Sequence, residues 1–409
     1  MKLVLVLMLA SLAASALACR RPANDTPWQI SLQTSEFPAR SNSAEPQLTA
    51  LGDRAILSWV EEIVDQNFVP HATLKFAERT SAGWSQPRDV AAGSDWFVNS
   101  ADLPSVLRLS DNTLAAHWLQ RNSEENEEAY DVRLSFSKDD GHTWSAAATP
   151  HHDGTKTQHG FVSLFETPGA GLGLAWLDGR AMPSEDVGAM TLRAAAFDAT
   201  GKQLSDTVVD DRVCECCPTA VAVTSEGPIA AFRNRSAEDV RDIYVSRLVG
   251  GKWTESTSVH DDGWMIPACP VNGPALAARG ADVAVAWFTA AKGDGHAFIA
   301  FSRDAGHTFG TPVRLDDVES TGRVAVTLLT DGSAVASWIE FADRQSQFRL
   351  RRVTSAGERS MAQTIADGRE TSGYPRMVRR GDELVLAWTA SDNGALSVRT
   401  AVAPLPTGR

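Results

Sequence analysis

Short apolar or alternating segments, each closing on a large aromatic side chain, recur from one end of the chain to the other. They are AILSW at Trp59, LAAHW at Trp118, LGLAW at Trp176, PIAAF at Phe232, VAVAW at Trp287, AVASW at Trp338 and LVLAW at Trp388. The interval contracts from 59 residues (Trp59 to Trp118) to 50 (Trp338 to Trp388), the length of one propeller blade. In five of the seven units a proline stands 13 or 14 residues before the aromatic (Pro46, Pro104, Pro218, Pro274, Pro375) and opens an apolar strand, where no ladder donor is lost. After each aromatic a polar loop leads into a strand of period two, as in YDVRLSFS, AFIAFS and QFRLRRV. Each unit therefore reads as a strand meander.

The pattern predicts an all-β chain, a β-propeller of seven four-stranded blades, with six as the alternative. The last unit stops after its third strand, ALSVRTAV, while PWQISLQT near the start is a strand without a hairpin partner. Pairing the two would complete blade seven and remove both free sheet edges. A β-sandwich would not explain the sevenfold return of one signature. The propeller is expected over residues 28–403.

The opening MKLVLVLMLASLAASALAC reads as an export signal over residues 1–18, with small residues Ala16 and Ala18 before Cys19. Cys19 is the expected lipidation site and residues 19–27 a tether, making the chain an outer-membrane or periplasmic lipoprotein, or alternatively a secreted protein. No later apolar run reaches the length of a membrane span, so membrane contact is expected only through the lipid. Against 38 Lys and Arg stand 51 Asp and Glu, a formal charge of −13, which excludes nucleic acid and anionic membrane faces as partners. A monomer is expected.

Two segments, SKDDGHTW (Ser137 to Trp144) and SRDAGHTF (Ser302 to Phe309), carry the pattern S-x-D-x-G-x-T-W/F. Asp139 and Asp304 can accept backbone N–H groups within the turn, Gly141 and Gly306 allow positive φ, and Trp144 and Phe309 plug the blade. Degenerate versions occur at Gly83-Trp84 and Gly251-Trp253. In these motifs the chain resembles the sialidase (neuraminidase) superfamily of Asp-box, or BNR-repeat, propellers, in an exported bacterial lipoprotein form. The resemblance implies a box on the outer strands, away from the central funnel. It also implies an F/Y-R-I-P motif at the first blade, whose arginine begins a clamp on a substrate carboxylate. That motif is missing, because Pro46 follows SNSAE and no Pro-led blade has an arginine two residues before its proline.

In a propeller the loop entering each innermost strand and the loop leaving the second strand open on one face. This places Cys214, Cys216 and Cys217 of RVCECCPTA on the entry to blade four and Cys269 of IPACPVNGP on the entry to blade five. Without Cys19 they are an even set, suited to a disulfide between neighbouring blades in an oxidising compartment. Reduced thiolates at C-x-C-C spacing would instead suit copper or zinc, with His159, His260 or Met265 at hand. The same rule brings Trp96, Asn99 and Asp102, then His159, Tyr374 and Arg376, to the mouth from entry loops. From loops after second strands it brings Asp178, Arg180, Arg233, Arg235, Arg241, Asp242 and Glu340. The acidic loop NSEENEEAYD reads as a solvated surface and HHDG at His151 as a hairpin turn.

Three functions follow. The first is an exported propeller binding a small molecule, glycan or metal at a Cys-edged funnel, through His159, Asp178, Arg180, Arg233, Arg376 and Asn99. The second, implied by the resemblance in its reaction and by loop placement in its residues, is an exo-α-sialidase-type hydrolase with Tyr374 as nucleophile, Asp102 as acid, Glu340 activating the tyrosine and Arg180, Arg233 and Arg376 as the clamp on the carboxylate. The third is a scaffold for protein partners.

Overall fold

A computed structural model describes residues 28–406 apart from 36, 38, 185, 186, 369–371 and 393. The signal segment, Cys19 and the 19–27 tether lie outside the described residues. All the regular elements are strands, grouped in seven sheets. The innermost strands of blades one to seven are Ser43–Leu51, Ser105–Arg108, His159–Thr167, Ala220–Thr224, Ala275–Arg279, Ser320–Leu328 and Ser372–Arg380. Each pairs antiparallel with the strand that follows, and blades continue outward in chain order. Blade two has three full strands, its fourth being reduced to a bridge between Leu134 and Ala148, whose main chains exchange two 2.8 Å hydrogen bonds.

The ring closes as the unpaired ends require, though over a shorter stretch than the apolar run predicts. Only Gln33 and Thr34 form ladder pairs, with Val402 and Ala401 of blade seven. Upstream, Ile30 is instead held by Gln363 of blade six, which accepts from its N–H at 2.9 Å and donates to its carbonyl at 3.1 Å.

The repeated aromatic explains the ring. The core divides into seven clusters, one at each junction between neighbouring blades, and Trp59, Trp118, Trp176, Phe232, Trp287, Trp338 and Trp388 each fall in a different one. At 150–250 Å² per aromatic side chain, each burial is worth about 4 to 6 kcal/mol. Buried indole N–H groups need acceptors, and three of these six tryptophans find theirs two residues on, along the same strand face, while Trp287 reaches Asp262 at 2.7 Å. Trp59 donates to Glu61 at 3.0 Å, Trp176 to Asp178 at 2.9 Å and Trp338 to Glu340 at 2.9 Å.

The two S-x-D-x-G-x-T turns follow the third strands of blades two and five, on the face opposite the entry loops. In one, Asp139 accepts from the Thr143 N–H at 2.9 Å and the Thr143 hydroxyl at 2.7 Å, while Ser137 accepts from the Gly141 N–H at 2.9 Å. Asp304, Thr308, Ser302 and Gly306 repeat the network. Gly141 has φ +82° and Phe76 occupies the space a Cβ would need, so only glycine fits. Trp144 and Phe309 pack at the edges of the junctions between blades one and two and blades four and five.

Candidate ligand site at the entry-loop mouth

Inner strands do not start cleanly. Glu45, Phe161, Val271, Arg323 and Gly373, at the entries to blades one, three, five, six and seven, all have positive φ, between 47° and 65°. Four of these entries carry a register shift, between Ala44 and Gln47, Gly160 and Ser163, Gly322 and Ala325, and Ser372 and Arg376. A bulge with left-handed backbone turns the chain out of the ladder and re-aims side chains, at a conformational cost borne by the surrounding packing. In blades one and seven the bulge also explains why Pro46 and Pro375 lie inside the inner strand instead of opening it.

Tyr374 is the hub of this rim. Its ring is buried with Ala101, Leu103, Phe161, Val213 and Phe232, and its hydroxyl donates to the Val271 carbonyl, crossing from blade seven to blade five. The Arg323 guanidinium lies 4.4 Å from the ring centre and that of Arg376 5.4 Å. Among the described residues neither arginine is paired with a carboxylate. Arg323 donates from Nη1 to the Gly373 carbonyl at 3.3 Å, and Arg376 Nε is buried without a partner. Burial pulls the Arg376 guanidinium down to about 10, with the Arg323 charge in the same direction and Tyr374 against it. Burial pushes the Tyr374 phenol up, against the pull of Arg323 and Arg376.

The acids named with Tyr374 have other partners. Asp102 is buried, accepting from the Phe161 N–H at 2.7 Å and the Tyr130 hydroxyl at 3.2 Å. Burial pushes its carboxyl up to about 7 despite those bonds, and Glu45 is raised by burial, by Glu62 and by Asp102. Glu340 takes the Trp338 indole and pairs with Arg349 at 2.8 Å. Asn99 caps the Ala101 N–H at 2.8 Å, and Trp96 stacks on Trp118 at 5.7 Å.

The proposed arginine clamp is likewise dispersed. Arg233 spends its guanidinium on the carbonyls of Asn272, Arg241 and Phe288, tying blade four to blade five. Arg180 forks onto Asp178 at 2.7 Å from both Nε and Nη2, and reaches Asp153 at 3.2 Å. His159 donates from Nδ1 toward the Thr157 carbonyl at 3.1 Å and stacks on His151 with ring centres 3.8 Å apart. HHDG is therefore no hairpin turn: His151 is buried in that cluster and accepts from the Val132 N–H. Arg323, which the clamp lacked, lies on a blade entry that has no proline to mark it. Its signal was position alone, at the start of the inner strand of blade six.

Cys214, Cys216, Cys217 and Cys269 converge. Cys216 and Cys269 form a disulfide with Cα atoms 6.0 Å apart, joining the entries of blades four and five. Cys214 and Cys217 are free and buried, with their sulfurs 2.7 Å apart. Thiolates bound at about 2.3 Å to one tetrahedral metal stand about 3.8 Å apart. With Cys216 spent in the disulfide and the remaining pair this close, the residues do not fit a copper or zinc cage.

Inside the ring, a central channel of about 470 Å³ runs along the inner strands, lined by polar Gln47, Thr49, Ser105, Ser163 and Thr327. Asp102 and Arg376 line it at the entry-loop end, and Arg279, exposed, at the other.

No protein-family model matches the chain, and no curated protein matches it in sequence. Solved structures do. A GH93 α-L-arabinofuranosidase of Fusarium graminearum in complex with arabinobiose aligns over 76% of this chain and 95% of its own, at 13% identity and a TM-score of 0.53. A polysaccharide lyase aligns over 88% and 90%, at 10% identity and a TM-score of 0.53. The NanB sialidase of Streptococcus pneumoniae covers 91% and 70%, at 11% identity and a TM-score of 0.45, too loose a fit to argue from. What the first two share with this chain is the propeller fold.

Proposed function

We propose that this propeller binds a carbohydrate bearing a carboxylate, a uronate or sialate residue, at the mouth where Arg323 and Arg376 flank Tyr374. The observation that carries the reading is that, among the described residues, no carboxylate pairs with either of these two cations, in a chain of net charge −13. Most other buried or half-buried arginines here are paired with acids, and an unpaired guanidinium beside a low-dielectric aromatic is costly unless a ligand supplies the anion. Arg323 remains partly exposed, so an incoming carboxylate can reach it. That carbohydrate-active proteins share the fold supports the ligand class.

Binding is favoured over hydrolysis because the Tyr374 hydroxyl is committed to the Val271 carbonyl, and both Asp102 and Glu340 are engaged by other groups. Titration calorimetry with matched oligosaccharides carrying or lacking a carboxylate tests the proposal. Binding of the carboxylated member alone is expected, and equal binding of the neutral one would overturn it.

A further inference from the structure

The cysteine cluster holds one disulfide and two thiols within reach of one another. Cys214 Sγ lies 2.7 Å from Cys217 Sγ and 3.8 Å from the bonded sulfur of Cys216. The bonded pair reaches the surface, since Cys269 is exposed, while Cys214 and Cys217 are buried. We propose that the four cysteines form a disulfide relay, in which a single disulfide moves between the exposed pair Cys216–Cys269 and the buried pair Cys214–Cys217.

The surroundings favour Cys214 as the attacking sulfur. Arg241 points Nη1 at it from 3.4 Å and is itself held by Glu215 at 2.9 Å. Burial raises the Cys214 thiol, but the Cys217 thiol, the Cys216 N–H, Arg233 and Arg241 outweigh it and bring it to about 7. Cys217 is raised by burial and by Cys214, and so stays protonated as the second sulfur to act. A thiolate fraction near neutrality is what exchange needs.

In the first step the Cys214 thiolate attacks Cys216 Sγ. The Cys214–Cys216 bond forms, the Cys216–Cys269 bond breaks, and Cys269 leaves as a thiolate that takes a proton from solvent. In the second, Cys217 loses its proton and attacks Cys214 Sγ. The Cys214–Cys217 bond forms, and Cys216 leaves as a thiolate and is protonated. One disulfide and two thiols are present before and after, so no oxidant or reductant is consumed. The product has an exposed dithiol at the mouth, and the entries of blades four and five have lost their disulfide cross-link.

The test is native-state alkylation of the full chain, purified without reductant, with excess iodoacetamide near pH 8, followed by acid quench and peptide mapping. Cys269 lies on a different tryptic peptide from Cys214, Cys216 and Cys217, so both its label and its cross-link are read directly. Unreduced, denatured protein should show two thiols among Cys214, Cys216, Cys217 and Cys269, counted on their two tryptic peptides and so apart from Cys19. In wild type, label should accumulate on Cys269 and Cys216 while a Cys214–Cys217 disulfide appears. Cys214→Ser should slow Cys269 labelling at least tenfold. Cys217→Ser should still label Cys269, leaving Cys216 bonded to Cys214, which keeps the test sound if the first variant folds poorly. A count of zero or four thiols among these four cysteines, a persistent Cys216–Cys269 cross-link with label only on Cys214 and Cys217, or equal rates in Cys214→Ser would each overturn the relay.

Discussion

The Arg323 guanidinium carbon lies 4.4 Å from the centre of the Tyr374 ring, and its Nη1 donates at 3.3 Å to the carbonyl of Gly373 next to that ring. One contact thus locks the entries of blades six and seven together and fixes a cation at the mouth. Asn272 of blade five fixes the backbone that carries this side chain, its Oδ1 accepting from the main-chain N–H of Arg323 at 2.9 Å. Three blades therefore position this arginine, and among the described residues none of them offers it a carboxylate.

The turns around Asp139 and Asp304 lie on the far face, so they should affect stability and not binding. Asp139→Ala and Asp304→Ala are expected to lower the thermal midpoint while changing affinity for a carboxylated oligosaccharide by less than about twofold, since distant, unshared contacts act independently. Hydrogen bonds from Thr143 and Ser137 hold the Asp139 carboxyl down at about 2, against an ordinary 3.8. A depressed carboxyl stabilises the fold above the ordinary value, and that contribution is lost as pH falls from about 4 to 2. Calorimetric scans of wild type and Asp139→Ala across that window should converge at its acid end.

Asp102 titrates in the opposite sense. Burial raises its carboxyl from 3.8 to about 7, so the folded chain holds a proton that the unfolded chain has released. Its contribution is complete below about pH 4 and is lost as pH rises toward 7, with a limiting slope of about 1.4 kcal/mol per pH unit. Denaturant midpoints for Asp102→Asn should be flatter than wild type over that range. Parallel curves would show that Asp102 does not carry the buried proton.

Ring closure rests on a short segment. Removing residues 28–35 would strip Gln33 and Thr34 from Ala401 and Val402 and leave Gln363 without the main chain of Ile30. The third strand of blade seven would then present an open edge, which invites pairing between chains. Light scattering should find the shortened chain associating at concentrations where the full chain does not.

Much of the fold was legible because the seven aromatics do one physical job seven times, filling seven equivalent junctions. The count of blades and the loop positions of the cysteines followed from that period. The chemistry at the mouth was harder to read because loop position does not tell which way a side chain turns. Glu340 and Asp178 answer the indoles of Trp338 and Trp176, a strand-face relationship visible in W-x-D/E once the strands are known. Arg233 looked like a ligand clamp and is saturated by three carbonyls. Arg323 and the buried pair of His151 and His159 depend on bulges and long-range packing, which no local pattern encodes.

The most direct test of the account compares wild type with Arg323→Ala and Arg376→Ala in titration against one acidic oligosaccharide and its carboxyl-reduced form. Charge-assisted hydrogen bonds are worth about 1.5 to 3 kcal/mol each. Each substitution should therefore weaken binding of the acidic form about tenfold to a hundredfold, and the reduced form should bind wild type no better than it binds the variants. Unchanged affinity in both variants, or wild-type binding that ignores the carboxylate, would contradict the account.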